Sequence, residues 1–306
     1  MAWTFEPVSG PIKGGFGGAL GGLAWDGSGM LVSGLEAGLI FRLDPKSGSV
    51  SEWRRHTNRV NGIAFSPESG VLFGCQEGGR RIIQFQPRGT ANPTATRIDG
   101  RVHNFPCDLC VDRRGRVWFS DPYSRVLSFG PQIFPPLHHA SVLRLERDER
   151  AHWHLERVTE DNVAPRAVLL SPDERTLYVG EGEIGRPGPR ELRAYPLDDH
   201  GHAGRPIVLH TFGADHRGEH RGIEGMCLDA EGNLVVVAGA RRSGPGPHVM
   251  VFTPYGTIVE AHALPGDLPA RCQFGGPELD ELYVSTLAGE LFVCRGTGLR
   301  GYRRFD

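Results

Sequence analysis

Short apolar runs separated by polar turns recur along this chain as one repeated pattern. Each copy has an apolar run, a turn rich in Asp, Gly, Pro or Ser, and a second apolar run. The six copies begin at Gly22, Asn61, Cys107, Arg166, Glu224 and Arg271. A third run with alternating polarity follows most copies, starting at Leu39, Arg81, Ser141, Glu191 and His248. Runs of this length bounded by turn residues predict β-strands.

The spacing of the copies predicts the fold. Units of about 40 to 60 residues with several strands each are typical of propeller blades, and no helical periodicity competes with them. We therefore predict an all-β protein, a six-bladed β-propeller that forms a single domain over residues 1–306. The amino-terminal segment WTFEPV is expected to add the outer strand of the last blade, next to GYRRFD, and so close the ring.

Composition agrees with this fold and narrows the classes of ligand that we expect. The 43 Gly among 306 residues suit a protein with many tight turns, and a hydrophobic share of 39% can build a core. The formal charge of −2 offers no bulk attraction to nucleic acid or to an anionic membrane. There is no leader pattern and no apolar membrane span. We expect a cytoplasmic protein, a monomer or weak homo-oligomer, that acts on a small molecule.

Equivalent positions of the repeat should meet at the propeller axis. The first strand of each blade lines the central channel, so the residues that begin these strands converge there. The positions are Gly21, Asn61, Cys107, Arg166, Glu224 and the pair Ala270 and Arg271. Because several of these residues are polar or charged, we expect the ligand to bind among them.

Five segments give the chain a resemblance to a known family. They are VNGIAFSPESGVLFGCQEGGRRI, NFPCDLCVDRRGRVWFSDPYS, LLSPDERTLYV, IEGMCLDAEGNLVVV and QFGGPELDELYVST. With these motifs the chain resembles the gluconolactonase, senescence marker protein and luciferin-regenerating enzyme family of six-bladed propellers over nearly all of its length. The resemblance implies hydrolysis of lactones and related esters with a bound Ca²⁺, Zn²⁺ or Mn²⁺.

The metal ligands of that family do not carry over to this chain. Their positions fall on Gly21, Cys107, Arg166 and Glu224, and only Glu224 keeps a ligand of the same type. A hard cation needs several oxygen ligands, and an arginine stays charged and would repel it. We expect no cofactor; if an altered site holds Ca²⁺, Zn²⁺ or Mn²⁺, its ligand is Glu224.

Four residues are candidates for catalysis. Arg166 can replace the metal by polarising a carbonyl or holding a carboxylate, and Glu224 can act as a general base. The alternative is that the two form a buried ion pair that fills the axis. Cys107 can be a nucleophile with His103 as its base, or a small buried side chain that only fills space in the core.

Further residues are expected to bind or position the substrate. By the resemblance, Asn61 and Asn104 match family asparagines that contact or position the substrate, and Asp108 supports the site. The complete set is Asn61, Asn104, Asp108, Phe129, Phe134 and Arg271, the two phenylalanines lying in an apolar insertion at 122–140 that could cover the channel as a lid.

Three functions remain open at this point. The first is a lactonase-like hydrolase that opens a lactone, ester or related cyclic substrate, with Arg166 in place of the metal. The second is metal-independent chemistry of another kind, as in a lyase, an isomerase or a C–C bond hydrolase. The third is a propeller that binds a ligand without catalysis.

Overall fold

Regular structure in this protein consists of β-strands. The computed structural model describes residues 3–12, 15–86, 89–123 and 137–303, and no α-helix occurs among them. Most strands belong to six antiparallel sheets of four strands each. No helix long and apolar enough to cross a bilayer is found in this part of the chain. The predicted all-β, six-bladed propeller is confirmed.

The six sheets are the blades, and each runs from an inner strand to an outer one. The first strand in the chain, β1 (Phe5–Val8), belongs to the last blade. Blade one contains β2 (Leu20–Trp25), β3 (Met30–Gly34), β4 (Leu39–Leu43) and β5 (Val50–Arg54). Blade two contains β6 (Val60–Phe65), β7 (Leu72–Gln76), β8 (Arg81–Phe85) and β9 (Ala91–Pro93). A hairpin of β10 (Arg97–Ile98) and β11 (Arg101–Val102) follows.

The remaining blades repeat this order. Blade three contains β12 (Leu109–Val111), β13 (Val117–Asp121), β14 (Ser141–Arg147) and β15 (Trp153–Arg157). Blade four contains β16 (Pro165–Leu170), β17 (Thr176–Glu181), β18 (Glu191–Pro196) and β19 (Ile207–Thr211), before the hairpin of β20 (Ala214–Asp215) and β21 (Gly218–Glu219). Blade five contains β22 (Ile223–Leu228), β23 (Leu234–Ala240), β24 (Ser243–Phe252) and β25 (Ile258–Ala263). Blade six contains β26 (Pro269–Gly275), β27 (Glu281–Thr286) and β28 (Leu291–Arg295), with β1 outermost.

The ring closes through the amino-terminal strand, as predicted. β1 pairs antiparallel with β28, from Phe5 opposite Cys294 to Val8 opposite Leu291. The partner is therefore β28, and not the carboxyl-terminal segment named in the prediction. Within that segment Gly301 forms a bridge with Asp229 in blade five, and residues 304–306 lie outside the described part.

Side chains between neighbouring blades form the core. The cluster between blades five and six includes Val235, Val237, Leu282 and Val284, all fully buried. These residues alternate along β23 and β27, because successive side chains of a strand point to opposite faces of a sheet. Similar clusters lie between other blades, so each blade is held by apolar contacts with its neighbours.

Local irregularities at the start of the inner strands direct side chains toward the axis. The register shifts at Leu20/Leu23, Val60/Ile63, Pro165/Ala167, Ile223/Gly225 and Pro269/Arg271. A bulge places a residue outside the ladder and changes the direction of its side chain. The residues displaced in this way include Asn61, Arg166 and Glu224, which are three of the predicted axis positions.

Glycines next to the bulged residues let adjacent inner strands approach closely. A Cβ on Gly62 would lie 2.8 Å from Cα of Asp108, and one on Gly225 would lie 2.5 Å from the carbonyl oxygen of Ala270. Real Cβ atoms do not tolerate such contacts with the backbone. Only glycine fits at both positions, so the inner strands can bring the axis residues together.

Candidate active site at the propeller axis

Glu224 lies at the centre of a group of arginines. Arg166 donates from Nε (2.8 Å) and Nη2 (2.5 Å) to Oε1 of Glu224, while Nη2 of Arg221 lies 2.9 Å from Oε2. Burial by itself would raise the pKa of Glu224, but the charges of Arg166, Arg221 and Arg271 outweigh it and lower the pKa. The carboxylate is thus ionised, and guanidinium groups occupy both of its oxygens.

Arg166 is the most exposed member of this group. Its side chain is 14% exposed, against 3% for Glu224 and 5% for Arg221. The bonds to Glu224 use Nε and Nη2, and Nη1 has no hydrogen bond to any described residue. Burial by itself would lower the pKa of Arg166, but negative charge nearby, including that of Glu224, outweighs it and raises the pKa above its usual value. The site therefore presents a permanent cation with a free donor.

Arg271 and Asp108 form a second ion pair beneath the first. Nε of Arg271 lies 3.0 Å from Oδ1 of Asp108, and Nη2 donates to the carbonyl of Cys107 at 2.8 Å. Nη1 donates to the carbonyls of Ala270 at 2.7 Å and of Glu224. Burial raises the pKa of Asp108 despite the charge of Arg271. The bonds of Arg271 connect the inner strands of blades three, five and six.

Cys107 contacts the neighbouring blade two through Asn61. Nδ2 of Asn61 lies 3.6 Å from Sγ of Cys107 and donates to Oε1 of Glu77 at 2.7 Å. Nη2 of Arg271 also reaches the sulfur, at 3.3 Å. Burial raises the pKa of Cys107, so the group is a neutral thiol. Oδ1 of Asn61 is buried and has no partner among the described residues.

His103 and Asn104 lie at the edge of this group. The ring of His103 is buried and stacked on Phe119 at 5.1 Å, and burial lowers its pKa to about 3. His103 is not among the hydrogen-bond partners of the thiol of Cys107. Nδ2 of Asn104 donates to the carbonyl of His139 at 2.7 Å, and its amide N–H donates to Asp121 at 2.8 Å.

The structure thus brings together most, but not all, of the predicted site residues. The residues that meet at the axis are Arg166, Glu224, Cys107, Asn61 and the Asp108–Arg271 pair. The ring of His103 instead packs on Phe119 of blade three. Phe129, Phe134 and most of the predicted lid lie outside the described residues.

Two charged residues of the site were not predicted from the sequence. Arg221 lies two residues before β22, and Glu77 follows the last residue of β7. Both are in loops outside the repeated positions. A signal for Glu77 was available in the segment FGCQEGG, where a carboxylate follows an apolar strand and precedes two glycines.

A cavity of about 580 Å³ occupies the other end of the channel. Its walls come from the later residues of the inner strands, including Trp25, Phe65 and Met226, and it reaches the axis group only at Asp108 and Arg271. It contacts neither Arg166 nor Glu224, so the cavity and the pair of Arg166 and Glu224 are separate features of the channel.

The donors at the axis do not fit a divalent cation. Guanidinium groups already hold both oxygens of Glu224, and Arg166 and Arg221 place positive charge directly beside this carboxylate. Oδ1 of Asn61 and a methyl of Leu35 come within 2.7 Å and 2.6 Å of the place of a Cβ on Gly21. No cluster of three His, Cys, Asp or Glu suited to a metal occurs in the described residues.

Comparison with known proteins agrees with this architecture. Residues 22–288 match the SMP-30/Gluconolactonase/LRE-like region. The chain is 26% identical to a gluconolactonase of Zymomonas mobilis over 70% of its own length and 57% of the relative's. It is 27% identical to a 6-deoxy-6-sulfogluconolactonase of Pseudomonas putida over 82% of this chain and 76% of that one.

A solved structure shows the same fold. The gluconolactonase XC5397 of Xanthomonas campestris superimposes with a TM-score of 0.76 at 26% identity, over 96% of this chain and 89% of that one. The chain spans little more than half of the Zymomonas relative, so that protein's activity is not transferred directly. The family match covers most of the present sequence, and the chain belongs to the SMP-30/gluconolactonase/LRE-like family.

Proposed function

We propose that this protein hydrolyses a small lactone or related ester at the propeller axis, with Arg166 in the electrostatic role that a metal has in metal-dependent relatives. The observation that carries the proposal is the arrangement of Arg166. Two of its donors are fixed on the buried carboxylate of Glu224, while Nη1 has no partner among the described residues. Family membership and two relatives named as lactonases support the reaction class.

The chemistry follows from a fixed positive charge. When water attacks the lactone carbonyl, negative charge develops on the carbonyl oxygen, and a donor already in place stabilises it more than mobile water does. The ring C–O bond then breaks and gives a hydroxy acid. The same guanidinium can hold the carboxylate of this product.

In this proposal Glu224 orients Arg166. The sequence suggested Glu224 as a general base, but an ionised carboxylate with both oxygens bound to guanidinium groups is a weak proton acceptor. We assign to Glu224 the placement of the cation, which it fixes through two hydrogen bonds to one oxygen.

The test is hydrolysis of a panel of sugar and aromatic lactones, with and without a chelator. We expect turnover that survives chelation and falls at least about 100-fold in Arg166→Ala, the size of effect seen when an oxyanion donor is removed. Arg175→Ala is the matched control because that arginine is 72% exposed in a surface pair with Asp199. Recovery of activity only after addition of a divalent metal would contradict the proposal.

Ligand binding without turnover is the second candidate. A free guanidinium donor in a buried polar site also suits an organic acid. If no lactone is hydrolysed but organic acids raise the melting temperature of the protein, and do not raise that of Arg166→Ala, the binding function replaces the hydrolytic one.

A further inference from the structure

We propose that Glu77 is the proton-transfer residue of this site: it accepts a proton from the attacking water and returns it to the ring oxygen that leaves. This assignment rests on the proposed lactone hydrolysis. It gives the site a general base that the axis positions of the repeat do not supply.

The hydrogen bonds of Glu77 leave one oxygen available. Oε1 accepts from Asn61 at 2.7 Å, whereas the contact of Oε2 is with Nη2 of Arg59 at 3.5 Å. That distance is long for a charge-assisted hydrogen bond, which is usually below about 3 Å. Glu224 differs, since guanidinium groups hold both of its oxygens at 2.9 Å or less. Of the two carboxylates, Glu77 has the freer oxygen.

The electrostatic environments of the two carboxylates also favour Glu77 over Glu224 as the proton acceptor. Burial raises the pKa of Glu77, and the Asn61 hydrogen bond and nearby positive charges only partly offset it. The pKa of Glu224 is lowered instead. Two carboxyl groups whose pKa values are pushed apart are a common arrangement for an acid–base residue beside a permanently charged one. The charged and titratable groups that act on Glu77 are Arg59, Arg166, Arg271 and the thiols of Cys75 and Cys107.

Glu77 and Arg166 both lie close enough to the thiol of Cys107 to act on its charge. The thiol of Cys107 is within electrostatic reach of Arg166, Arg271, Glu224 and Glu77. Asn61 links this thiol to Glu77, and its Oδ1 is a buried acceptor without a partner among the described residues. A water that donates one hydrogen to Oδ1 of Asn61 and one to Glu77 would face a carbonyl held by Arg166.

The reaction balances with water alone. One O–H bond of water breaks, its proton passes to Glu77, and the oxygen bonds to the carbonyl carbon while the π pair moves to the carbonyl oxygen beside Arg166. The tetrahedral intermediate then reforms the carbonyl. The ring C–O bond breaks, its oxygen keeps the electron pair, and Glu77 returns the proton to that oxygen.

The experiment compares Glu77→Gln with Glu68→Gln, a control in an exposed turn of the same blade. For the lactone that the wild type hydrolyses best, we expect Glu77→Gln to lower kcat about 100-fold or more with little change in KM. The acidic limb of the kcat against pH profile should disappear as well. Glu77→Asp should retain part of the activity, and Glu68→Gln should match the wild type.

A spectroscopic readout keeps the test independent of turnover and of folding in any one variant. Infrared titration of the wild type should show a carboxyl with a raised pKa that Glu77→Asp shifts and Glu77→Gln removes. Burial raises the pKa of Asp121 to about 7, and the signal of that carboxyl should persist in both variants. Full activity with an unchanged pH profile in folded Glu77→Gln, or absence of such a carboxyl, would overturn the role of Glu77 alone. Lack of turnover by the wild type on every lactone would instead remove the proposed function itself.

Discussion

Gly21 shows how a single missing side chain changes the chemistry of an axis. The resemblance to the family implies a carboxylate at this position, and here Oδ1 of Asn61 and a methyl of Leu35 lie close to where a Cβ would be. On the other side, Arg166 contributes a cation and Arg221 a second one. A missing anionic ligand and additional fixed cations act in the same direction, because both make a site less favourable for a divalent cation.

The thiol of Cys107 should be inert in the folded protein. It is fully buried, and burial raises its pKa, so little thiolate exists at neutral pH. We expect slow alkylation of native protein by iodoacetamide at neutral pH, and alkylation of all six cysteines after unfolding in urea. Mass spectrometry of the digested protein measures this. Rapid, selective labelling of native Cys107 would support the nucleophile that the sequence suggested.

His103 should make the fold sensitive to acid. Its pKa is lowered to about 3 by burial, whereas in the unfolded chain it is about 6.5. The unfolded state therefore binds more protons between these values, and stability falls as the pH falls through this window. The cost is up to about 1.4 kcal/mol per pH unit for one such group. Urea unfolding at about pH 7.5, 6 and 5 should show that the free energy of unfolding falls less in His103→Gln than in the wild type.

A histidine on the surface is the control for this effect. His216→Gln changes an exposed side chain and should leave the slope of stability against pH unchanged. Equal slopes in His103→Gln and the wild type would mean that other buried groups cause the acid sensitivity.

Among the elements, the loop before β16 determines the backbone position of Arg166. Glu181, the last residue of β17, accepts the amide of Ala164 at 2.8 Å and Nδ2 of Asn162 at 2.5 Å. Arg166 follows two residues after Ala164. Glu181 is thus a positioning residue that fixes the backbone from which the guanidinium extends.

Replacement of Glu181 should loosen this loop. Glu181→Gln keeps the size of the side chain but removes one acceptor oxygen, and we expect a loss of about 1–3 kcal/mol in the free energy of unfolding. Urea denaturation measures it, with Glu160→Gln on the same loop as an exposed control. An unchanged free energy of unfolding would show that the loop is held by other contacts.

Sequence periodicity predicted the inner strands well and the loops poorly. The apolar repeat located β6, β16, β22 and β26, because strand burial imposes a regular spacing on the chain. Arg221 and Glu77 enter the axis from connections whose path depends on packing between blades. No spacing rule specifies such a path, so Arg221 and Glu77 could not be derived from the repeat, whereas Arg166 and Glu224 could.

At the scale of the whole molecule, ring closure joins distant parts of the chain. Phe5 is 8% exposed and packs in the cluster between blades five and six, and Trp3 stacks on His262 at 4.2 Å. The sequence was sufficient to predict this closure, since an outer strand was missing from the last repeat. The predicted partner of β1 was wrong, because the last apolar run and not the chain terminus forms β28.

Truncation of Phe5 should therefore weaken the closure of the ring. We expect Phe5→Ala to lower the free energy of unfolding by about 3 kcal/mol, as for other buried phenylalanines. Glu6→Ala in the same strand changes a side chain that is 60% exposed and should have a much smaller effect. Urea denaturation of both variants measures the difference. Equal stability of the two variants would contradict a closure that depends on the apolar contact.

The ion pair of Arg271 and Asp108 affects how a small molecule can pass through the channel. It lies between the axis group and the 580 Å³ cavity, and its hydrogen bonds tie three blades together at that level. If this ion pair blocks passage on the cavity side, the lactone of the proposed reaction and its hydroxy acid product must use one route to Arg166. The product then competes with the next substrate for the same guanidinium.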